Sequence, residues 1–334
     1  MFGSIRMGIL AAGICALGLA LLFAAKKPFF ESLLSFSPEV EIYIAPKDIS
    51  SLSETPNEQK QVEEKTEQKE TGKSVLGTSP EKLKTAEEII IPLPPPPVRL
   101  PSKTLYALAS ERVVNLFCEL PKNEVAVATG VIIHPEGYIL TNAHVAEAEQ
   151  SGTCLIRRGS PARNFAIAER VFLPPDFSSK KNTRENLAKD VAIWKITSVL
   201  EKDTLGMFPF FSIHPSNLPT DATALATFSY PAELLGSQAV VSALYLSFSE
   251  TQIVSHDAYF IESAQGLGSQ KGSSGGILLD PFTGELAGLI FAINDIKAEY
   301  VSERTLFSLT PFAINEAVRF ATGKDLDAYL RELP

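Results

Sequence analysis

From Leu105 onward, β-branched and aromatic residues gather in short runs broken by turn residues every ten or so positions, a pattern of many short strands. Arg112–Leu120 (RVVNLFCEL), Val125–His134, Gly137–Val145, Asp190–Ile196, Thr223–Tyr230, Ala239–Phe248, Asp257–Ser263, Gly275–Asp280 and Glu285–Ile293 all read this way. His134-Pro135-Glu136-Gly137 predicts a tight hairpin, because proline presets φ at one turn position and glycine accepts the positive φ that closes the turn. The length suits two β-barrels packed side by side, an all-β fold. The end of the chain changes period: Phe312, Ile314, Ala317 and Val318 fall on one helical face of Pro311–Phe320, with Gly323 at the C-cap position. Lys324–Leu333 predicts a second short helical stretch.

Before Leu105 the pattern is different. Met7–Ala25 is an uncharged, mostly apolar run that a helix rising 1.5 Å per residue would stretch across a hydrocarbon core of about 30 Å. It reads as an uncleaved membrane anchor within residues 1–27. A cleaved signal peptide is the rival, but Phe23 before Ala24-Ala25 spoils the small-residue cleavage site. Arg6 flanks one side and Lys26-Lys27 the other, so basic residues do not orient the span. A short N-terminus ahead of a long remainder is the layout of a signal anchor, which puts the rest outside the cytoplasm, on a periplasmic or extracellular face. Residues 28–101 read as a linker: Asp48–Glu88 is rich in Glu, Lys, Gln, Ser and Thr, with too few large apolar groups to offset ordering entropy. Pro92–Pro101 comes next as a stiff polyproline spacer.

Composition removes some functions. A net charge of −9 argues against a nucleic-acid partner. The three cysteines, Cys15, Cys118 and Cys154, form no C-x-x-C pair and none stands at zinc-ligand spacing to a histidine, so neither a metal nor another cofactor is expected. Cys118 and Cys154 lie in strand-like runs; they are either two small buried hydrophobes, the commoner case, or a disulfide in an oxidising compartment.

Three short windows carry the chemistry. Gly130–Val145 holds the hairpin and ends in Thr141-Asn142-Ala143-His144-Val145; Asp190-Val-Ala-Ile-Trp-Lys-Ile196 is an aspartate leading into a strand; Gly272-Ser273-Ser274-Gly275-Gly276 sets paired serines among glycines. Together they resemble the histidine, aspartate and nucleophile segments of trypsin-like serine proteases, closest to the bacterial HtrA-type branch. The resemblance spans about Leu105 to Phe320 as a fold and is strong only in these windows. It implies a chymotrypsin-like pair of six-stranded antiparallel barrels over residues 102–334, with a triad of His144, Asp190 and Ser274.

Those residue types suit one task. A serine hydroxyl is a poor nucleophile at neutral pH, so an imidazole must take its proton and a buried carboxylate must fix the imidazole's tautomer. Amides of Gly272 and Ser274 can turn toward a substrate oxyanion, each such donor contributing about 3 kcal/mol. The same letters also satisfy G-x-S-x-G, but an α/β-hydrolase needs its histidine after the serine. His134, His144, His214 and His256 all precede Ser274, which excludes that design. A subtilisin order needs an aspartate before the histidine, and Asp48 alone lies ahead of His144, at the edge of the linker. Of the other acids before β-like Ala192, Asp176 and Glu185 lie in a polar insertion and lack the strand that follows Asp190.

The pattern also departs from the family. Ser273 stands where the digestive enzymes carry an aspartate that pairs with a new N-terminal amine, so no such zymogen switch is expected. By resemblance Gly268 lies at the base of the primary pocket and Phe291, Ala292 and Ile293 form a wall, favouring a small or medium apolar anchor over a basic one. Too little chain follows Leu309 for a PDZ domain, which needs at least about 50 residues. His256 and Asp257 are adjacent in an extended run and point to opposite faces, so they form no dyad. The reading is a membrane-anchored serine endopeptidase acting on polypeptides, with a homo-oligomer left open. An inactive trypsin-like module that binds peptides or a protein partner is the alternative.

Overall fold

The early strands are apolar on both faces because they stand between two cores. In the computed structural model, which describes residues 47–48 and 97–333 except 121–123, 150, 201–205, 218–223, 265, 267, 294–299 and 301–302, β2 (Val113–Glu119) pairs antiparallel with β3 (Val125–His134) from Val113↔Val131 to Glu119↔Val125. Alternate side chains part company: Val114, Leu116, Cys118, Ala126, Ala128 and Ile132 enter one core, and Val113, Phe117, Val127 and Val131 enter the other. A strand buried on both faces reads as a continuous apolar run without polar alternation.

Two six-stranded antiparallel barrels result, as expected. The first closes in the order β2-β3-β4-β7-β6-β5, using β4 (Tyr138–Thr141), β5 (Thr153–Arg158), β6 (Arg163–Phe172) and β7 (Ala192–Val199). The second runs β12-β11-β8-β9-β10-β13 and returns from β13 to β12. Its strands are β8 (Ala224–Ser229), β9 (Ser247–His256), β10 (Phe260–Ala264), β11 (Ile277–Leu279), β12 (Leu286–Ile293) and β13 (Leu306–Leu309). β1 (Lys47–Asp48) adds to β12 in parallel, Lys47 opposite Ala292 and Asp48 opposite Ile293. Leu225, Ile253, Ile261, Leu278, Ile290, Ile293 and Leu306 form a core of the second sheet, and the larger cluster joins the two barrels.

The hairpin forms as expected: the Gly137 amide donates to the His134 carbonyl at 3.0 Å and Gly137 adopts φ +84°. Both C-terminal helices form too. In α5 (Pro311–Thr322) the Thr310 hydroxyl caps the Ala313 amide at 3.0 Å and left-handed Gly323 ends the helix; α6 is Leu326–Glu332. Other elements differ from the pattern. Ser102–Arg112 is a helix, α1, whose only buried side chains are Leu105 and Ala109, too few to mark a helical face. The Thr141–Val145 stretch leaves the strand at Asn142 to form α2 (Ala143–Ala148), and the polar insertion folds a single turn, α3 (Arg184–Leu187). Ala239–Phe248, expected as one strand, is divided between α4 (Ser237–Ser242) and the start of β9.

Arg157 accounts for that division. Its guanidinium is buried, lies 5.4 Å over the Phe117 ring, and donates to the carbonyls of Val240 (3.0 Å), Val241 (2.7 Å) and Ala162 (3.1 Å). A one-turn helix turns the Val240 and Val241 carbonyls toward this cation and still buries Val240 and Leu244 in the shared core. Burial pushes the Arg157 pKa down to about 10, which leaves the group charged at neutral pH.

The cysteines take the second of their two readings: Cys118 and Cys154 are directly opposite on β2 and β5 and are joined by a disulfide. Packing them as free hydrophobes is thereby overturned, because cross-strand registry puts their sulfur atoms within bonding reach. Among the described residues no helix is long and apolar enough to cross a membrane; Met7–Ala25 and nearly all of the linker lie outside them.

Arg157→Met is expected to lower the unfolding free energy by about 3 kcal/mol, read from the denaturant midpoint, because buried carbonyls lose their donor. Reduction of Cys118–Cys154, which spans 36 residues, should lower it by about 3–4 kcal/mol in the chain-entropy account, seen as a lower melting temperature in reductant.

Candidate active site

The first barrel supplies an imidazole and its carboxylate. Thr183 caps α3, the Asp190 amide donates to the Leu187 carbonyl at 3.1 Å, and this tight path delivers a fully buried Asp190 just ahead of β7. Asp190 Oδ2 accepts from His144 Nδ1 at 2.7 Å and Oδ1 accepts from the His144 amide at 2.8 Å. A carboxylate only accepts, so a ring proton sits on Nδ1, and in the neutral imidazole Nε2 is the acceptor. Asn142 Nδ2 donates to the Asp190 carbonyl at 3.1 Å, tying the start of α2 to the acid's main chain. The rival acids are elsewhere engaged: Asp176 is exposed and paired with Lys189, which holds its carboxyl below the usual range, and Glu185 is exposed on α3.

The second barrel supplies the serines, and one residue of the first barrel holds them. The Thr129 amide donates to the Ser274 carbonyl at 2.8 Å, and its hydroxyl donates to the Gly272 carbonyl at 2.8 Å. That hydroxyl also accepts from the Tyr230 amide at 2.9 Å, and the Thr129 carbonyl accepts from the Thr141 hydroxyl at 2.7 Å. Thr141 is three positions before His144, so the same cluster that grips the serine loop borders the histidine's helix. A Cβ on Gly275 (φ +81°) would stand 1.9 Å from the Thr129 carbonyl oxygen and 2.3 Å from Thr141 Oγ1. Only glycine fits there.

Within the loop, amides of Ser273, Gly275 and Gly276 donate to Gln270, Ile290 and Ser273 carbonyls. Among the described residues those of Gly272 and Ser274 make no backbone hydrogen bond. Ser273 is fully buried and its hydroxyl meets Ser229 Oγ at 3.0 Å. Ser274 Oγ and His144 Nε2 are each buried without a hydrogen-bond partner, so no hydrogen bond joins the two side chains.

The expected pocket residues Gly268, Phe291, Ala292 and Ile293 lie on or beside β12. Gly268 lies against Ile290 and Leu306, whose methyl carbons a Cβ there would meet at 3.2 and 3.4 Å. The Phe291 ring is buried in the shared core, 5.6 Å from the Phe260 ring; Ala292 and Ile293 are buried and carry β1 on their strand edge. His134 stacks edge-on to Tyr138 at 5.4 Å and His256 sits in the β9–β10 ladder opposite Ile261. Among the described residues no cluster of three His, Cys, Asp or Glu side chains could hold a metal.

Residues 128–289, which contain all three windows, match the family model described as a trypsin-like peptidase domain. Those residues are a trypsin-like peptidase domain. Similar solved structures include the active form of the Rv3671c protease from M. tuberculosis, at 17% identity and a TM-score of 0.45, covering 70% of this chain and 94% of that one. The serine endoprotease from Yersinia pestis has 18% identity and a TM-score of 0.46, with 70% and 68% covered. The MamO protease domain from Magnetospirillum magneticum has 15% identity and a TM-score of 0.41, with 69% and 99% covered. A comparison with curated proteins found no match.

In the trypsin-like domain, Thr129, Thr141, Asn142 and Ser229 are site residues that sequence reasoning passed over. Thr141 and Asn142 lie inside the quoted histidine window, and Thr129 adjoins Gly130 at its start, so proximity in sequence was the one available signal. Gly275→Ala is expected to remove activity outright and to lower the melting temperature, since both a left-handed φ and a backbone contact are violated. Thr129→Val, which keeps the shape and removes the hydroxyl, should cost about 2 kcal/mol of stability by leaving buried groups unpaired, with a parallel fall in reaction at Ser274.

Proposed function

We propose that this serine endopeptidase hydrolyses peptide bonds in polypeptides through His144, Asp190 and Ser274, in a domain tethered to a membrane and lying outside the cytoplasm. The observation that supports the mechanism is the pair of bonds from His144 to Asp190, which in the neutral imidazole leaves Nε2 as the acceptor, while the Ser274 hydroxyl is also buried and unpartnered.

In this reading Ser274 Oγ attacks the scissile carbonyl while His144 Nε2 takes its proton, and Asp190 stabilises the imidazolium that forms. The carbonyl oxygen, now negative, is met by the Gly272 and Ser274 amides. His144 then returns the proton to the departing amine as the tetrahedral intermediate collapses to an acyl-enzyme. Water, deprotonated by the same imidazole, releases the acid and regenerates the serine.

Two features support a polypeptide substrate and the location. The β12 edge beyond Ile290, next to the serine loop, already accepts the extended backbone of Lys47–Asp48, so strand addition is available to other extended chains. A buried disulfide suits an oxidising compartment, and Met7–Ala25 is long enough to span a bilayer.

A fluorophosphonate probe should label the protein at Ser274, and Ser274→Ala should abolish labelling. Asp190→Asn should retain the fold and lower kcat by roughly four orders of magnitude. Absence of labelling in a folded wild-type protein would instead favour a peptide-binding module. Membrane fractionation, with added protease digesting the domain only from the non-cytoplasmic side, checks the tether.

A further inference from the structure

The loop from Ser269 to Ser274 must hold two amides and a nucleophile in place, yet the side chain of Ser273, beside the nucleophile, makes only a neutral hydroxyl contact with Ser229. Charge-assisted hydrogen bonds are about twice as strong as neutral ones. A charged anchor exists earlier in the loop. Glu233, in the turn after β8, accepts the Lys271 amide on Oε2 at 3.1 Å. Arg304, just before β13, grips the same carboxylate with both terminal nitrogens, Nη1 at 2.8 Å and Nη2 at 3.1 Å. Nη1 donates as well to the Ser269 carbonyl at 3.0 Å, and the Lys271 carbonyl accepts from the Ala232 amide at 2.8 Å.

The ion pair therefore bonds the main chain at positions 269 and 271, immediately before Gly272, instead of bridging side chains at the surface. Only 8% of the Arg304 side chain and 18% of the Glu233 side chain are exposed, so water screens the pair weakly. Gln270, between the two anchored residues, supplies the carbonyl that accepts the Ser273 amide at 3.1 Å. Fixing 269 and 271 thus fixes the turn from which the Gly272 and Ser274 amides project.

We propose that Glu233 and Arg304 are positioning residues of the active site: their ion pair holds the oxyanion loop in its working shape, without a newly formed chain terminus. This rests on the triad reading above and adds to it a device that fixes the loop's shape. Burial opposes ionisation of Glu233, but the bonds from Arg304 and the Lys271 amide more than offset it and hold the carboxyl below its usual range. The carboxylate is accordingly charged wherever the enzyme would work near neutrality.

The test uses the full chain and three variants. Glu233→Gln keeps an acceptor for the Lys271 amide and removes the charge; Arg304→Lys keeps a charge and removes the planar fork; Glu233→Asp restores the carboxylate at shorter reach. For Glu233→Gln the expected result is a fall of about tenfold or more in kcat on a peptide substrate and in the rate of fluorophosphonate labelling, with KM changed by less than about twofold. Arg304→Lys should fall between it and wild type, and Glu233→Asp should recover part of the loss. If Glu233→Gln instead lowers the melting temperature while the folded fraction reacts at the wild-type rate, the pair is structural only and the proposal is overturned. Hydrogen exchange separates this from failure of the triad reading. Faster exchange at the Lys271 amide in Glu233→Gln, with the barrel strands unchanged, supports the clasp even if wild type never labels; unchanged exchange there overturns it.

Discussion

Thr129 stands where the proposed catalytic site, divided between two barrels, has to be joined. The first barrel holds the imidazole and carboxylate, the second the hydroxyl and amides, and nothing covalent near the site fixes their separation. Four hydrogen bonds made by this one residue, two to the serine loop, one from Tyr230 and one from Thr141, tie the loop to the strand that leads to the histidine. They are buried, so none competes with water, and breaking one strands a polar group in an apolar interior. The glycine at 275 follows from the same constraint, since the two main chains approach too closely for any side chain.

Arg157 and Arg304 both act as clamps on main chain. Arg157 satisfies three carbonyls, two of them across the barrel junction, and Arg304 divides its donors between Glu233 and the loop carbonyl of Ser269. A planar fork with five donors can serve several carbonyls at once, which an ammonium group cannot do in fixed directions. The cost of burying such a cation is met by oriented backbone dipoles, and the benefit is that irregular segments acquire a defined path. Both arginines act on stretches with little regular structure, α4 and the approach to the serine loop.

Much of the barrel architecture was legible because strand runs, the Pro135–Gly137 hairpin and the Pro311–Gly323 helix each obey local rules. The three windows also carried their own order along the chain, and His144 and Asp190 do meet. Helix α1 escaped notice because two buried residues make no periodic face, and α4 because Val240, Val241 and Leu244 favour a strand on composition while a distant guanidinium draws their carbonyls into a turn. Thr129, Ser229, Glu233 and Arg304 were invisible for a related reason. Their significance comes from contacts 35 to 143 positions away along the chain, and spacing alone does not encode such pairings.

The Cys118–Cys154 bond lies across the β2–β5 ladder, the seam at which the first strand of the barrel meets its ring-closing neighbour. A ring of strands has no margin except where it comes apart, and here that line of parting is sewn. Thermal fluctuation can loosen the ladder, but it cannot readily peel one strand away and offer its bare amides to a neighbouring chain. Resistance to edge-to-edge aggregation is in this way a property of covalent topology as well as of packing.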